Sequence, residues 1–220
     1  MPESRRAALF DMDRTLIRKD SATLYTRYQR DVGEVGALDV ARVAWWLLQY
    51  TFGVIDAPRV AQKVLAGYRG REEAAMIASC DVWFSDYVLE HVCDAGRQAV
   101  RRHQEAGDLV AIVTSATPYA ARPLARELGI EHVVCTHLEV NERGLFTGKL
   151  VEPMCYGPGK IELSQRMAER EGFELGAATF YSDSITDLPL LERVQTPITV
   201  NPDARLRRIA RRRGWPIERW

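Results

Sequence analysis

The sequence predicts an α/β protein with a parallel sheet, doubly wound by helices on both faces, and an all-helical insertion after the first strand. Three observations lead to this prediction. Residues 7–13 begin with an apolar run that indicates a buried strand. Residues 18–92 show helical periodicity and no convincing strand pattern. After residue 94, helical and strand patterns alternate, as they do in parallel sheets that helices cover on both sides.

The insertion divides the chain into two predicted parts. Residues 1–17 and 93–220 form the α/β core, and residues 18–92 form the helical part. Apolar residues recur at helical spacing in four stretches of the insertion, and Asp56-Ala57-Pro58 marks a helix start, since proline is favoured in the first turn. These stretches are 22–28, 38–52, 60–65 and 76–92.

The second half of the chain contains the remaining predicted elements. A hairpin is predicted across the turn Asn141-Glu-Arg-Gly144, in which residues 145–148 face residues 133–134 and 138–140. A basic helix is predicted to begin at Asn201-Pro202-Asp203. The other predicted elements are strands at 109–113, 178–182 and 197–200 and helices at 118–128, 159–171 and 187–193.

Two carboxylates follow the first strand. Asp11 and Asp13 lie at positions i and i+2, which point to the same side of an extended segment. Like charges placed together repel each other, and a bound cation or a shared proton would relieve that repulsion. The alternative from this segment alone is a solvated turn after a strand.

Further polar residues follow two other strands and open one helix. Thr114 and Ser115 end the strand 109–113, and Asp183 and Asp187 follow the strand 178–182. Lys160 stands at a helix start, where a cation opposes the helix dipole and so calls for a functional reason. Because the carboxyl ends of parallel strands meet at one edge of a sheet, these groups are expected to converge on a site for a metal and an anion.

These residues, in this order, resemble the four motifs of the haloacid dehalogenase superfamily. Asp11, Asp13 and Thr15 match the first motif, DxDx[TV], and Thr114 matches the second. Lys160 matches the third motif, and Asp183 with Asp187 matches the fourth. The insertion directly after the first motif resembles the phosphoserine-phosphatase-like branch. Ser182 departs from the pattern, because a glycine often stands at that position.

The resemblance implies a phosphatase that forms an aspartyl-phosphate. It makes Asp11 the nucleophile and Asp13 the general acid and base, and a carboxylate at the second position argues against carbon–halogen chemistry. It implies Mg²⁺ held by Asp11, the backbone carbonyl of Asp13 and Asp183, with Asp187 either binding through water or orienting Lys160. The phosphoryl group would be held by the catalytic residues Thr114 and Lys160 and by the substrate-binding residues Met12, Thr15 and Ser115.

Asp20 has two interpretations. Its offset from Asp11 resembles that of the acidic residue that contacts the substrate amine in phosphoserine phosphatases. It is equally well placed to be the N-cap of the first helix of the insertion. The partner is therefore expected to be a small phosphate ester, with phosphoserine, histidinol phosphate and phosphorylated amino alcohols all open.

Two other functions remain open from the sequence. One is a phosphotransferase that passes the phosphoryl group to an acceptor alcohol. The other is a phosphate-binding regulatory module without activity, and the complete set of motif residues argues against it.

Composition excludes some partners and suggests a compartment. Thirty basic residues balance thirty acidic ones, so no overall field favours nucleic acid or an acidic membrane. The apolar stretch Val43–Ile55 is shorter than the ~20 residues of a bilayer span. Four cysteines without metal-ligand spacing, and a start without a signal-peptide pattern, suggest a cytoplasmic protein. A monomer or a homodimer is expected.

Overall fold

The computed structural model describes residues 5–34, 36 and 67–220. Helices and strands are numbered below over these residues. The helices predicted at 38–52 and 60–65, the apolar stretch Val43–Ile55 and the helix start at Asp56 lie outside them.

A six-stranded sheet forms the centre of the fold, with strands in the order β3-β2-β1-β6-β7-β8. All of its neighbouring strands run parallel, and β4 and β5 form a separate antiparallel pair. The strands are β1 Ala7–Phe10, β2 Leu109–Val113, β3 His132–Val134, β4 Leu138–Val140, β5 Phe146–Leu150, β6 Thr179–Ser182, β7 Thr196–Val200 and β8 Ile217–Glu218.

Helices connect these strands and cover the sheet. The π-helical turn Phe84–Val88 and the 3₁₀ turn Leu89–His91 interrupt the helix that the sequence predicts through 76–92. The α-helices are α1 Ser21–Asp31, α2 Glu73–Trp83, α3 Asp94–Glu105, α4 Pro118–Leu128, α5 Pro158–Glu171, α6 Leu188–Leu191 and α7 Ala204–Arg213.

The central strands bury side chains on both faces of the sheet. On β1, Ala8 and Phe10 belong to one apolar cluster, whereas Ala7 and Leu9 belong to another. The first cluster includes residues of α1 to α4, and the second includes residues of α5 and α7. Helices therefore lie on both faces, and the predicted doubly wound fold is confirmed.

The register of the sheet brings the ends of three strands together. Phe10 lies opposite Ile112 on β2 and opposite Tyr181 on β6. Asp11, Thr114 and Asp183 consequently emerge at the same edge of the sheet, each one or two residues after these positions.

The hairpin prediction was correct for β4 and β5 but wrong for Val133-Val134. These two residues belong to β3 and pair in parallel with β2 at the edge of the main sheet. Strand β2 pairs with β1 on one side, and β3 occupies its other side. A parallel pair needs no turn between its strands, so no local turn signal marked it in the sequence.

The end of the insertion pairs with this hairpin. The amide of Gly70 donates to Phe146 O at 2.8 Å, and the amide of Phe146 donates to Arg71 O at 3.0 Å. The amide of Glu73 donates to Gly144 O at 2.9 Å. Residues 70–73 are therefore hydrogen-bonded to the hairpin, with one antiparallel bridge between Glu72 and Leu145.

Among the residues that the structure describes, no helix is both long and apolar enough to cross a membrane. The described end of the insertion is instead helical and packs on the core. Trp83 on α2 is fully buried in the same apolar cluster as Phe10.

Candidate active site

Asp11 leaves β1 at a tight turn. Its amide donates to Tyr181 O at 2.9 Å, which continues the pairing of β1 with β6 by one residue. The chain then folds around Met12, whose carbonyl accepts from the amides of Leu16 at 3.0 Å and Ile17 at 3.1 Å. Arg14 adopts a φ of 56° in this turn. The first motif is thus a turn and not the extended segment that the sequence suggested.

Lys160 enters the site from the start of α5. A Cβ atom on Gly159 would lie 2.1 Å from Met154 O, so only glycine allows the chain to approach so closely here. Lys160 Nζ lies 3.0 Å from Asp11 Oδ1 and 2.7 and 2.8 Å from the two carboxylate oxygens of Asp187. Three acceptors thus face the three N–H donors of one buried ammonium.

The fourth motif forms a loop after β6. Asp183 and Asp187 are both buried, and Ser182 Oγ donates to Asp187 Oδ2 at 2.7 Å. Asp203 fixes the loop from outside, because its Oδ2 accepts from Ile185 N at 2.7 Å and its amide donates to Asp183 O at 2.9 Å.

Ser182 and Asp203 are two contributors that the sequence analysis missed. In the sequence, Ser182 was marked by its departure from the glycine that often stands at that position. Asp203 was marked only as part of a predicted helix start.

Burial and mutual repulsion raise the pKa values of the acidic groups. Burial raises the pKa of Asp11 to about 7, with a further increase from Asp187 and a partial offset from Lys160. Burial, then Asp11 and Asp187, raise the pKa of Asp183 well above its ordinary value. Burial alone would lower the pKa of Lys160, but the neighbouring carboxylates outweigh it and raise this pKa. Full ionisation of these carboxyl groups would therefore give the site more negative charge than one ammonium can balance.

Asp13 lies at the margin of this cluster and contacts α1. Its Oδ1 accepts from Ser21 N at 2.7 Å, and its Oδ2 accepts from Ser21 Oγ at 3.0 Å. Burial, Asp20 and Asp11 raise the pKa of Asp13 to about 8, while the bonds from Ser21 oppose this increase. A carboxyl group with such a pKa is mostly protonated at neutral pH and can donate a proton. Ser21 is a further contributor that the sequence analysis did not place in the site.

Asp20 is the N-cap of α1. Its Oδ1 accepts from Thr23 N at 3.0 Å and from Thr23 Oγ1 at 3.2 Å. Its charge also raises the pKa of Asp13. These bonds confirm that Asp20 is an N-cap. They also leave its negative charge beside the site.

The predicted phosphate-binding group surrounds the same edge of the sheet. Thr114 is buried, and its Oγ1 accepts from Ala116 N at 3.1 Å. The Thr15 hydroxyl is buried and has no hydrogen-bond partner among the described residues. Met12 is buried and Ser115 is half-buried. Of the predicted site residues, direct contacts join Lys160 to Asp11 and Asp187, and the register places Thr114 and Asp183 at the same edge of the sheet.

The donor set fits a magnesium ion. Among the residues described, no three His, Cys, Asp or Glu side chains form a ready-made metal cage. Mg²⁺ does not require one, since it is usually held by one or two carboxylates and keeps several waters. Asp11 and Asp183 supply two hard oxygen donors whose charges repel each other.

A family model and several known proteins match this chain. The model described as "haloacid dehalogenase-like hydrolase" matches residues 8–192. Phosphoserine phosphatase SerB1 of Mycobacterium tuberculosis is 36% identical over 220 residues, covering 96% of this chain and 70% of its own length. Histidinol-phosphatase of Neisseria meningitidis serogroup C is 33% identical over 218 residues, covering 97% of this chain and 98% of its own length.

A solved structure has the same fold. The crystal structure of a protein of unknown function from Bordetella pertussis Tohama I superposes with a TM-score of 0.88 and 31% identity, and the match covers 98% of both chains. The predicted superfamily, branch and phosphatase class are confirmed by these matches. The chain is therefore a member of the haloacid dehalogenase superfamily, a phosphatase in its phosphoserine-phosphatase-like branch.

Proposed function

We propose that this phosphatase is a magnesium-dependent phosphomonoesterase that acts on a small phosphorylated metabolite through an aspartyl-phosphate. The observation that carries the proposal is the buried contact of Lys160 with Asp11, beside Asp183 at the edge of the sheet. Lys160 fixes the position of the Asp11 carboxylate and reduces the repulsion between this carboxylate and an approaching phosphate ester.

Asp11 is the proposed nucleophile. Its carboxylate attacks phosphorus, the bond to the leaving oxygen breaks, and an aspartyl-phosphate forms. Lys160 holds Asp11 Oδ1 in one position, which aligns the attack and offsets negative charge as the phosphoryl group arrives.

Asp13 is the proposed general acid and base. Its raised pKa, about 8, supports a proton on the carboxyl group that can pass to the leaving alkoxide. The resulting carboxylate can then take a proton from the water that hydrolyses the aspartyl-phosphate. Ser21 holds both oxygens of this group and so keeps it oriented.

The phosphoryl oxygens need donors that are already in place. The Thr114 hydroxyl and the backbone amides of Met12 and Ser115 are proposed to supply them, with Thr15 beside them. Bound Mg²⁺, held by Asp11, Asp183 and the backbone carbonyl of Asp13, would offset charge on the phosphate. The contact with Lys160 supports an orienting role for Asp187, and binding of the ion by Asp187 through water was the other role predicted.

The domain division stays as the sequence analysis proposed it. Residues 1–17 and 93–220 form the catalytic core, and residues 18–92 form a cap that would exclude water from the site. All four cysteines are free and buried, which supports the proposed cytoplasmic location.

The substrate is proposed to carry an amine. Asp20 places a negative charge next to Asp13, and such a charge in a partly buried site attracts an ammonium group. The names of two relatives, phosphoserine phosphatase and histidinol-phosphatase, refer to amine-bearing phosphates and support this class.

A screen of phosphate release tests the proposal. The purified protein with Mg²⁺ would be incubated with phosphoserine, histidinol phosphate, an amino alcohol phosphate and a neutral sugar phosphate. We expect release from at least one amine-bearing ester and none with Asp11→Asn. Absence of phosphate release from every ester, including a chromogenic aryl phosphate, would contradict the proposed function.

A further inference from the structure

Ser182 lies behind the catalytic cluster and is completely buried. Its hydroxyl donates to Asp187 Oδ2 at 2.7 Å and accepts from Ser184 N at 3.2 Å. The hydroxyl therefore donates one hydrogen bond and accepts another within the loop of the fourth motif. A glycine at this place would leave Asp187 without the first of these bonds.

The bond from Ser182 determines how Asp187 meets Lys160. Asp187 Oδ2 accepts from both Ser182 Oγ and Lys160 Nζ, whereas Oδ1 accepts from Lys160 and from no other residue in the described part of the chain. Rotation of the carboxylate would break the bond to Ser182 in a place where no water could easily replace it. The carboxylate is thus held with both oxygens towards the ammonium.

The orientation of Asp187 leaves one N–H of Lys160 for Asp11. Two of the three donors bond to Asp187, and the third faces Asp11 Oδ1 at 3.0 Å. A rotated Asp187 would release a donor of Lys160 and allow the ammonium to shift away from Asp11. The position of the proposed nucleophile therefore depends on the Ser182 hydroxyl, which acts through Asp187 and Lys160.

We propose that Ser182 is a positioning residue that fixes the Asp187 carboxylate and, through it, holds Lys160 against Asp11. The inference rests on the proposed function, because it concerns the rate of the same reaction. It assigns a role to the position at which this chain departs from the usual glycine.

The test compares Ser182→Ala with a serine that is buried but makes no such bond. Ser164 lies on α5, one helical turn after Lys160, is fully buried, and its hydroxyl has no partner among the described residues. Ser164→Ala therefore matches the substitution and the burial. We expect Ser182→Ala to lower kcat by about 10- to 100-fold, the range for a hydrogen bond to a charged group. KM should change less than about twofold, because substrate contacts remain.

Two further variants separate positioning from a loss of packing. Ser182→Thr keeps the hydroxyl and should recover kcat to within a few-fold of the wild type. Ser182→Cys keeps the approximate size but is a weak donor, so it should lose as much kcat as Ser182→Ala. Circular dichroism of each variant would show whether the fold is retained. If Ser182→Ala does not fold, the pair of Ser182→Cys and Ser182→Thr carries the comparison.

The inference is overturned if folded Ser182→Ala or Ser182→Cys keeps the wild-type kcat or matches Ser164→Ala. It is also overturned if Ser182→Thr is as slow as Ser182→Cys. An active wild type with either result leaves the proposed function standing. A wild type that hydrolyses no phosphate ester overturns both.

Discussion

Lys160 and Asp187 form a buried two-point contact, in which one ammonium lies 2.7 Å from Oδ1 and 2.8 Å from Oδ2. The same ammonium reaches Asp11, so a single cation stabilises two largely buried carboxylates. Removal of the Lys160 ammonium would leave the negative charges of Asp11 and Asp187 without compensation.

Lys160→Met should therefore destabilise the fold. Losing one partner of a buried ion pair costs about 3–5 kcal/mol, because the remaining charges stay in a poorly solvating environment. Urea unfolding in the presence of a chelator measures the free energy of unfolding. Arg166→Gln is the control on the same helix, since its pair with Glu162 is exposed and should contribute little. Equal stability of the two variants would contradict the prediction.

Asp11→Asn should remove turnover and retain the fold. An amide cannot form an acyl phosphate under these conditions, while its size and shape match those of the carboxylate. Phosphate release and circular dichroism measure the two effects. Asp86→Asn serves as the control at an exposed aspartate outside the site. Hydrolysis at a rate near that of the wild type would exclude Asp11 as the nucleophile.

Asp13→Asn should slow the enzyme in a way that depends on the leaving group. General acid catalysis typically contributes 10²- to 10⁴-fold, and a loss of roughly that size is expected for alkyl phosphates. An activated aryl phosphate needs less help from a proton, so its loss should be smaller. The ratio of kcat values for the two esters is the measurement. A uniform loss for both would count against proton donation by Asp13.

Chelation of metal ions should abolish activity, and Mg²⁺ should restore it. The excess of buried carboxylates at Asp11, Asp183 and Asp187 is the reason. Ca²⁺ should bind but support little turnover, because its larger and looser coordination does not hold the reacting oxygens as tightly. Phosphate release after titration of each ion into the chelated protein measures this. Full activity in excess chelator would remove the metal from the mechanism.

Asp20→Asn should affect amine-bearing substrates selectively. Asparagine is also a good N-cap, so α1 should keep its start at Ser21 while the charge is lost. We expect KM to rise for an amine-bearing phosphate and to stay nearly constant for a neutral sugar phosphate. Kinetics on one ester of each kind would measure the contrast, and parallel changes would indicate that Asp20 acts only as a cap.

The sequence predicted that Asp11, Lys160 and Asp187 would lie together, because their residue types are unusual for their places. Carboxylates and a hydroxyl directly after apolar strands, and a lysine at a helix start, are each unfavourable without a partner. The parallel arrangement then required them to lie at one edge. The contact of Lys160 with Asp187 matches one of the two roles that were predicted for Asp187.

The remaining contacts depend on loop conformations that no residue pattern encodes. Ser21 reaches Asp13 because the chain turns tightly around Met12, with Arg14 in the left-handed region. Asp203 reaches Ile185 because β7 ends beside the loop after β6. The short edge strands β3 and β8 were missed or misassigned because a parallel pair of two or three residues carries too little periodicity.

The hydrogen bonds between residues 70–73 and the hairpin limit how the proposed cap can move. The bridge between Ile17 and Val92 joins the two ends of the insertion, and residues 70–73 within it are bonded to residues 144–146. A segment that is bonded to the rest of the protein at two places cannot rotate freely about a single hinge. We expect that opening of the proposed cap either moves the hairpin with it or breaks these bonds, so the turn at 141–144 would take part in the admission of substrate although it lies about 70 residues away in sequence.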